Sequence, residues 1–336
     1  MGHLIGAAAV HHHDHDADAD PGWSLIQAAA RAAEGMADGD KCQGFALGAD
    51  GQLRPVAPGD PDGLIAWRPG VGWEALLPLD DPRRAFIDLY LPICSATTAR
   101  PITVGHLGQS LDGFIATHAG ESHWITGEQN IIHMHRLRAL CDAVVVGAGT
   151  VAADDPQLTT RLVAGPNPLR VVIDPGRRLG GHYRVFTDDA ADTLYVCARS
   201  LTHDGERYFG RAVVVGVEGN EDDVDAAALV QLLRGRGCAR VFVEGGGVTV
   251  SMFLAANLLD RLQVAIAPLI IGDGRPAIRL PPPIVLGDGL RPRHRVFCMG
   301  SDVLFDCEFG PQPGVPVADP PPLSPFGLRS PVTRVL

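Results

Sequence analysis

Two glycine-rich turns constrain this chain more than any other feature. Gly147-Ala148-Gly149-Thr150 and Glu244-Gly245-Gly246-Gly247 each follow a short run of β-branched residues, and each leads into a helix-compatible stretch. A strand that ends in glycines lets backbone approach a pyrophosphate closely, and the next helix faces it with unpaired N–H groups and a positive dipole end. One such turn is weak evidence. Two of them, about a hundred residues apart and the second headed by an acid, predict that both corners face one crevice in an α/β sheet and grip opposite portions of a dinucleotide.

The rest of the chain agrees with that placement. From Pro101 onward, short apolar runs alternate with helical segments, the pattern of a mostly parallel sheet with helices on both faces. The expected strands are Ile102–Leu107, Ala143–Gly147, Leu169–Asp174, Thr193–Ala198, Ala212–Val217, Arg240–Val243 and Arg261–Ala267. Amphipathic helices fit Glu128–Cys141, with Ile131, Ile132, His135 and Leu140 as facing residues, and Val224–Arg236, with Leu229, Leu232 and Leu233 inward. Arg293–Cys298 and Ser301–Phe309 flank Met299-Gly300 and predict a terminal antiparallel hairpin on the sheet edge.

Outside residues 101–310 the sequence reads differently. Residues 1–20 carry the run His11-His12-His13-Asp14-His15-Asp16, which reads as a solvated, disordered tail rather than a metal site, and residues 311–336 form a proline-rich tail. Residues 21–100 hold a helical patch at Leu25–Met36, then turn-rich stretches such as Pro55–Gly63 and Trp67–Gly72, with no catalytic pattern.

With 39 acidic against 28 basic residues and a formal charge of −11, the chain lacks the basic face that nucleic acid or anionic membrane requires. The seven cysteines are scattered and form no Cys-x-x-Cys pair, so they read as reduced cytoplasmic thiols without a disulfide framework or zinc site. No uninterrupted apolar run approaches a membrane span.

Gly147-x-Gly149-x-x-Ala152 after a strand also fits a Rossmann dinucleotide fingerprint, with Asp174 as the ribose acid. Against this, Pro156 follows Asp155 and would cut the required helix short. Four segments taken in order carry a more specific resemblance: Gly108-Gln109-Ser110-Leu111-Asp112-Gly113, Gly120 through Gly127, Gly147 through Pro156, and Glu244 through Gly247. In order and spacing they resemble the reductase domain of riboflavin biosynthesis, the carboxy-terminal half of a bifunctional deaminase/reductase with a dihydrofolate reductase-like fold. The deaminase half would bring a His-x-Glu and a Pro-Cys-x-x-Cys zinc motif, and neither occurs here. His106 stands where that family typically has a lysine, which exchanges a cation for an imidazole.

The resemblance implies an NADPH-dependent reduction of the ribosyl group of a phosphoribosylaminopyrimidine to a ribityl chain. The alternatives are a related pyrimidine or pterin, a generic Rossmann dehydrogenase, or a non-catalytic descendant. It implies cofactor contacts at Gly108, Trp124, Thr150 and Asp154 and along Gly246, Gly247, Val248, Thr249, Val250, Ser251 and Met252. The implied substrate contacts are Ser122, Arg138, Leu158, Arg161 and Glu244, with the two arginines on the sugar phosphate and Glu244 as the catalytic carboxylate. Blander roles are a core aromatic for Trp124, turn formation for Asp112 and Asp154, a dipole-facing cation for Arg138 and a helix cap for Glu244. Arg177-Arg178 is a candidate for the 2′-phosphate, and the resemblance further implies a homodimer.

Overall fold

The structure is a computed structural model and describes residues 21–36 and 41–309. The two expected tails, 1–20 and 311–336, lie outside the described residues. In chain order the first elements are α1 (Pro21–Met36), β1 (Gln43–Leu47), β2 (Leu53–Val56), β3 (Ile65–Arg68), β4 (Gly72–Ala75) and α2 (Arg84–Cys94). There follow β5 (Ile102–Gln109), β6 (Phe114–Ala116), α3 (Glu128–Leu140), β7 (Ala143–Gly147), α4 (Ala148–Asp154), β8 (Leu169–Ile173), α5 (Arg184–Thr187), β9 (Thr193–Ala198), β10 (Tyr208–Phe209) and β11 (Ala212–Val217). The chain continues with α6 (Ala226–Gly235), β12 (Arg240–Glu244), α7 (Gly247–Ala255), β13 (Arg261–Ile266), β14 (Arg275–Pro276), β15 (Arg293–Met299) and β16 (Asp302–Glu308).

The central sheet has ten strands in the order β10-β11-β9-β8-β7-β12-β5-β13-β16-β15. Every pairing from β11 to β13 is parallel, while β10 and the terminal β15–β16 hairpin are antiparallel. This is the α/β arrangement expected of the sequence. The parallel strands at the centre are largely apolar on both faces, as strands covered twice tend to be. Alternate residues separate cleanly: Val144, Val146, Val172 and Phe242 enter one core, and Val145, Val171, Val241 and Val243 enter the other. The second core is closed by Leu229 and Leu233 of α6 and by Val250 and Phe253 of α7. Asp225 caps α6, accepting from the amides of Ala227 and Ala228.

The first core is where residues 21–100 belong. They form a small module, with β2-β1-β3-β4 as an antiparallel sheet and α1 against α2, and its Trp23, Ile26, Trp67, Ile87 and Tyr90 share a core with Val104, Leu137 and Phe242 of the main sheet. Polar contacts fix the join. Trp23 Nε1 donates to Ala164 O at 2.9 Å, and Arg240 at the start of β12 donates to Ala30 O at 2.7 Å and to Ile93 O at 3.2 Å. Pro55 within β2 is tolerated because β2 is an edge strand, where a missing N–H leaves no ladder bond unmade.

α3 departs from the amphipathic helix expected over Glu128–Cys141. Its buried side is polar: Asn130, His133, His135 and Arg138 are buried with Leu137 and Leu140, while Ile131 and Ile132 are only partly covered. Each buried polar group there has a specific partner, which is what makes such a face affordable.

Candidate functional site

The carboxyl ends of β5, β7 and β12 open into a cleft of about 590 Å³. In open α/β sheets ligands bind at this end of the strands. The two glycine turns meet there directly: the Gly246 amide donates to Thr150 Oγ1 at 3.1 Å, and residues of both turns line the cleft. α4 runs only from Ala148 to Asp154, and Asp155 closes it in a left-handed conformation at φ 39°, before Pro156. That short helix is what the proline predicts.

The glycines of the two turns are not equivalent. A Cβ on Gly247 would collide with the carbonyl oxygens of Ala277 and Pro276, and one on Gly147 with Thr249 Oγ1, so packing requires these two. A Cβ on Gly149 would meet nothing within 4 Å, and one on Gly246 would meet only Thr150 Oγ1 at 3.4 Å. These two keep open space at the cleft wall. The first N–H groups of α7 lie behind Gly246 and have no intrahelical acceptor.

At the floor, Glu244 ends β12 with Arg138 of α3 upon it. Arg138 Nε donates to Glu244 Oε2 at 2.7 Å, Nη2 donates to Oε1, and Nη1 donates to Thr159 O at 3.2 Å. Both side chains are buried, and Glu244 lines the cleft. A bidentate guanidinium satisfies the carboxylate's desolvated lone pairs and holds its orientation. This corrects the expectation that Arg138 stands free for a sugar phosphate: its guanidinium is engaged on three sides. Arg161 is exposed, and its Nη1 bonds Thr159 Oγ1 at 2.6 Å.

Beside Glu244, in register on β5, is His106. It lines the cleft with its ring buried, and its Nε2 pairs with Asn130 Oδ1 at 2.9 Å. Burial pushes its pKa down to about 4, against smaller opposing effects of Asn130 and Glu244, so the imidazole is neutral near pH 7. Behind it, His133 sits between Tyr90 Oη, 2.7 Å from Nδ1, and Gln263 Oε1, 2.8 Å from Nε2. Tyr90 belongs to the amino-terminal module. His135, pushed down to about 3 by burial and then by Arg138 and Arg161, accepts from the Arg161 amide through Nδ1.

Among the expected site residues, Gly108, Ser122, Thr150, Asp154, Glu244, Gly246, Gly247, Val248, Thr249 and Met252 line the cleft. Ser122 Oγ reaches Asp154 Oδ1 at 3.4 Å. Val250 and Ser251 do not line it. Both are buried within α7, and Ser251 Oγ accepts from the Arg279 amide. Leu158, expected against substrate, is fully buried in the first core, its backbone at φ 56° turning the side chain inward. Trp124 is neither core nor wall: it is 82% exposed at φ 66°, on the loop whose Ser122, Ile125 and Thr126 do line the cleft.

Arg177 is also corrected as a phosphate ligand, since Glu206 holds it bidentately at 2.5 and 2.6 Å. Arg178 does line the cleft, paired with Asp222 at 2.7 Å. Asp174 is buried and accepts from Leu179 N and Tyr195 Oη, so it offers no ribose acid and the Rossmann alternative falls. Asp112 serves its turn, accepting from the Gly272 amide at 2.6 Å. Sequence reasoning missed Asn130, Met134, Arg275 and Arg279 as lining residues, and local spacing carries no signal for them.

Comparison with known proteins gives this geometry a context. A family model described as the RibD C-terminal domain matches residues 102–293. A 2,5-diamino-6-ribosylamino-4(3H)-pyrimidinone 5′-phosphate reductase of Methanothermobacter thermautotrophicus is 36% identical over 213 residues, 62% of this chain and 97% of that protein. The riboflavin biosynthesis protein RibD of Chlamydia muridarum is 34% identical over 188 residues, 54% of this chain and 50% of that protein. Among solved structures, a diaminohydroxyphosphoribosylaminopyrimidine deaminase/5-amino-6-(5-phosphoribosylamino)uracil reductase of Thermotoga maritima aligns with a TM-score of 0.53 at 28% identity, covering 67% of this chain and 60% of that one.

Proposed function

The chain belongs to the RibD C-terminal domain family, and from that premise we propose that it is an NADPH-dependent reductase converting the ribosyl group of a phosphoribosylaminopyrimidine, of the 5-amino-6-(5-phosphoribosylamino)uracil type, to ribityl. The observation that carries the reading is the contact of the Thr150 and Gly246 turns above Glu244. The open walls at Gly149 and Gly246 and the amino end of α7 suit a dinucleotide pyrophosphate.

In this reading the bound coenzyme would supply hydride to C1 of the open-chain imine, protonated on its nitrogen, so that the C1–N bond is kept and the ribityl amine results. The Gly247 and Val248 amides hold its phosphates, while Gly108, Thr150, Asp154, Gly246, Thr249 and Met252 shape the rest of its bed. Arg178 is the cleft cation best placed for the 2′-phosphate, Arg177 being held by Glu206. Trp124 joins the cofactor contacts from the rim. Ser122 and Arg161 meet the substrate, with Arg161 on its phosphate. Glu244, kept as an oriented carboxylate by Arg138, stabilises positive charge on the substrate nitrogen as hydride arrives. Its part is electrostatic. We take the active form to be a cytoplasmic homodimer.

A second reading concerns the substrate alone. The archaeal relative, 36% identical, is named for the 2,5-diamino pyrimidinone phosphate, and this chain has no deaminase motif. Turnover assays with NADPH and each of the two pyrimidines decide between them. Substrate-dependent loss of the nicotinamide absorbance with one of them is expected, and Glu244→Gln should lower kcat by roughly 100-fold. Absence of turnover with both overturns the proposal.

A further inference from the structure

A second cavity, of about 720 Å³, lies between the amino-terminal module and the terminal hairpin and shares no lining residue with the cleft. Its apolar lining includes Val71, Trp73, Pro92 and Ile102. The same lining carries four arginines, Arg100, Arg261, Arg293 and Arg295, against the carboxylates of Asp260, Asp306 and Glu308, the last 3.9 Å from Arg261 Nη2. In a chain of net charge −11 such a concentration of guanidinium groups runs against the average field.

The carboxylates in the cavity are already engaged. Asp306 is buried and accepts from Arg261 Nη1 at 2.6 Å, Arg295 Nη2 at 2.8 Å and Gln263 Nε2 at 3.2 Å, while Asp260 accepts from the Thr103 amide at 2.7 Å. Arg100 and Arg293 are exposed at the rim and enter no ion pair among the described residues; Arg100 stacks over Trp67 at 5.7 Å. Arg261, 92% buried as a side chain (8% exposed), has an Nε with no hydrogen-bond partner. An orphaned buried donor asks for an acceptor that the protein does not provide.

We propose that this cavity binds a phosphorylated small molecule with a planar apolar body, the phosphate on Arg100 and Arg293 and the body against Trp73 and Pro92. Arginine suits phosphate through its planar, bidentate donor set, and the apolar wall rewards a ring rather than a bare ion. The site is an effector site. Asp306 is joined through Gln263 to His133, whose ring lies 5.4 Å from that of His106 in the cleft floor. Arg261, Arg295 and Asp306 line the same cavity, so an anion seated on Arg100 and Arg293 perturbs Asp306 and reaches the cleft through the Gln263 hydrogen bonds and the His133–His106 ring contact. It also gives the amino-terminal module a purpose, since the cavity exists only where the module meets the hairpin.

The test is calorimetric titration of the full chain with phenyl phosphate, with inorganic phosphate and phenol as the separated halves of the probe. Saturable binding of phenyl phosphate is expected, tighter than either half. It should weaken at least tenfold in the Arg100→Ala/Arg293→Ala double variant and hold in Arg178→Ala, which removes a cation from the cleft instead. Both substituted rim positions are exposed, so folding is not at issue. Saturation should also move the ring ¹⁵N resonances of His133. No saturable heat, or equal affinity in the double variant, overturns the proposal; so does a loss confined to Arg178→Ala, which places the anion in the cleft. Unmoved His133 resonances at saturation overturn the link to the cleft.

Discussion

The two faces of the central sheet are built on different principles. Under α6 and α7 the core is hydrocarbon, with Val145, Val171, Val243, Leu229 and Phe253 in contact. Across the sheet, the same alternation that puts Val104, Ala265, Leu304 and Phe242 inward also buries His106, Gln263, Asp306 and Glu244. Those polar groups are matched by Asn130, His133 and Arg138 of α3 and by Tyr90 of the module. Burying polar groups gains little net stability even when every one is paired. Hydrocarbon burial on both faces holds the fold together, and the polar groups of the second face also fix the orientation of Glu244 and His106 at the cleft floor.

That contrast can be broken most forcefully on the hydrocarbon face. Phe253 is fully buried there, and Phe253→Ala should cost about 3–5 kcal/mol in urea denaturation through lost transfer energy and the cavity left behind. A loss below about 1 kcal/mol would show that burial on this face contributes little to stability.

Acid sharpens the contrast from the polar side. The pKa of His106 falls to about 4 and that of His135 to about 3 on folding, from an ordinary 6.5, and burial also lowers His133. Below pH 6.5 the unfolded chain therefore takes up protons that the native state refuses. Stability should fall as pH drops from 6.5 toward 4, by about 1.4 kcal/mol per proton per pH unit, with two to three protons bound on unfolding near pH 5. A flat profile in that window would mean these rings are not buried as neutral groups.

The smallest expected change is at the module junction. Tyr90→Phe keeps the ring and removes the hydroxyl from His133 Nδ1, leaving a buried nitrogen unpaired, at about 1–3 kcal/mol. It should lower kcat more than it raises KM, because it disturbs the floor and not the phosphate contacts. Unchanged kcat would reduce the junction to packing alone.

The legible parts of the molecule were those specified locally. Strands such as Ala143–Gly147 and Thr193–Ala198 announce themselves as β-branched runs, and the glycine turns and Pro156 fix where α4 starts and stops. The module's sheet was hidden because its strands are four or five residues long and interrupted by Pro55 and Gly72. α3 was misread because its buried side is polar and its partners are remote: Arg138 and Glu244 are 106 residues apart, and each alone looks like a ligand-binding group. Leu158 and Trp124 came from the resemblance alone, and both have positive φ: Leu158 turns into the first core, while Trp124 stands exposed at the rim of the cleft.

The central claim is that the two glycine corners hold one coenzyme, and fluorescence titration with NADPH tests it most directly when Gly149→Ala is compared with the unaltered chain. An added Cβ at Gly149 meets no protein atom within 4 Å, so the variant should melt as the parent does. It should bind NADPH at least about tenfold more weakly, a loss of about 1.4 kcal/mol or more, because the side chain occupies the space left for the ligand. Equal affinity in the two proteins, or no saturable binding to either, would contradict the account.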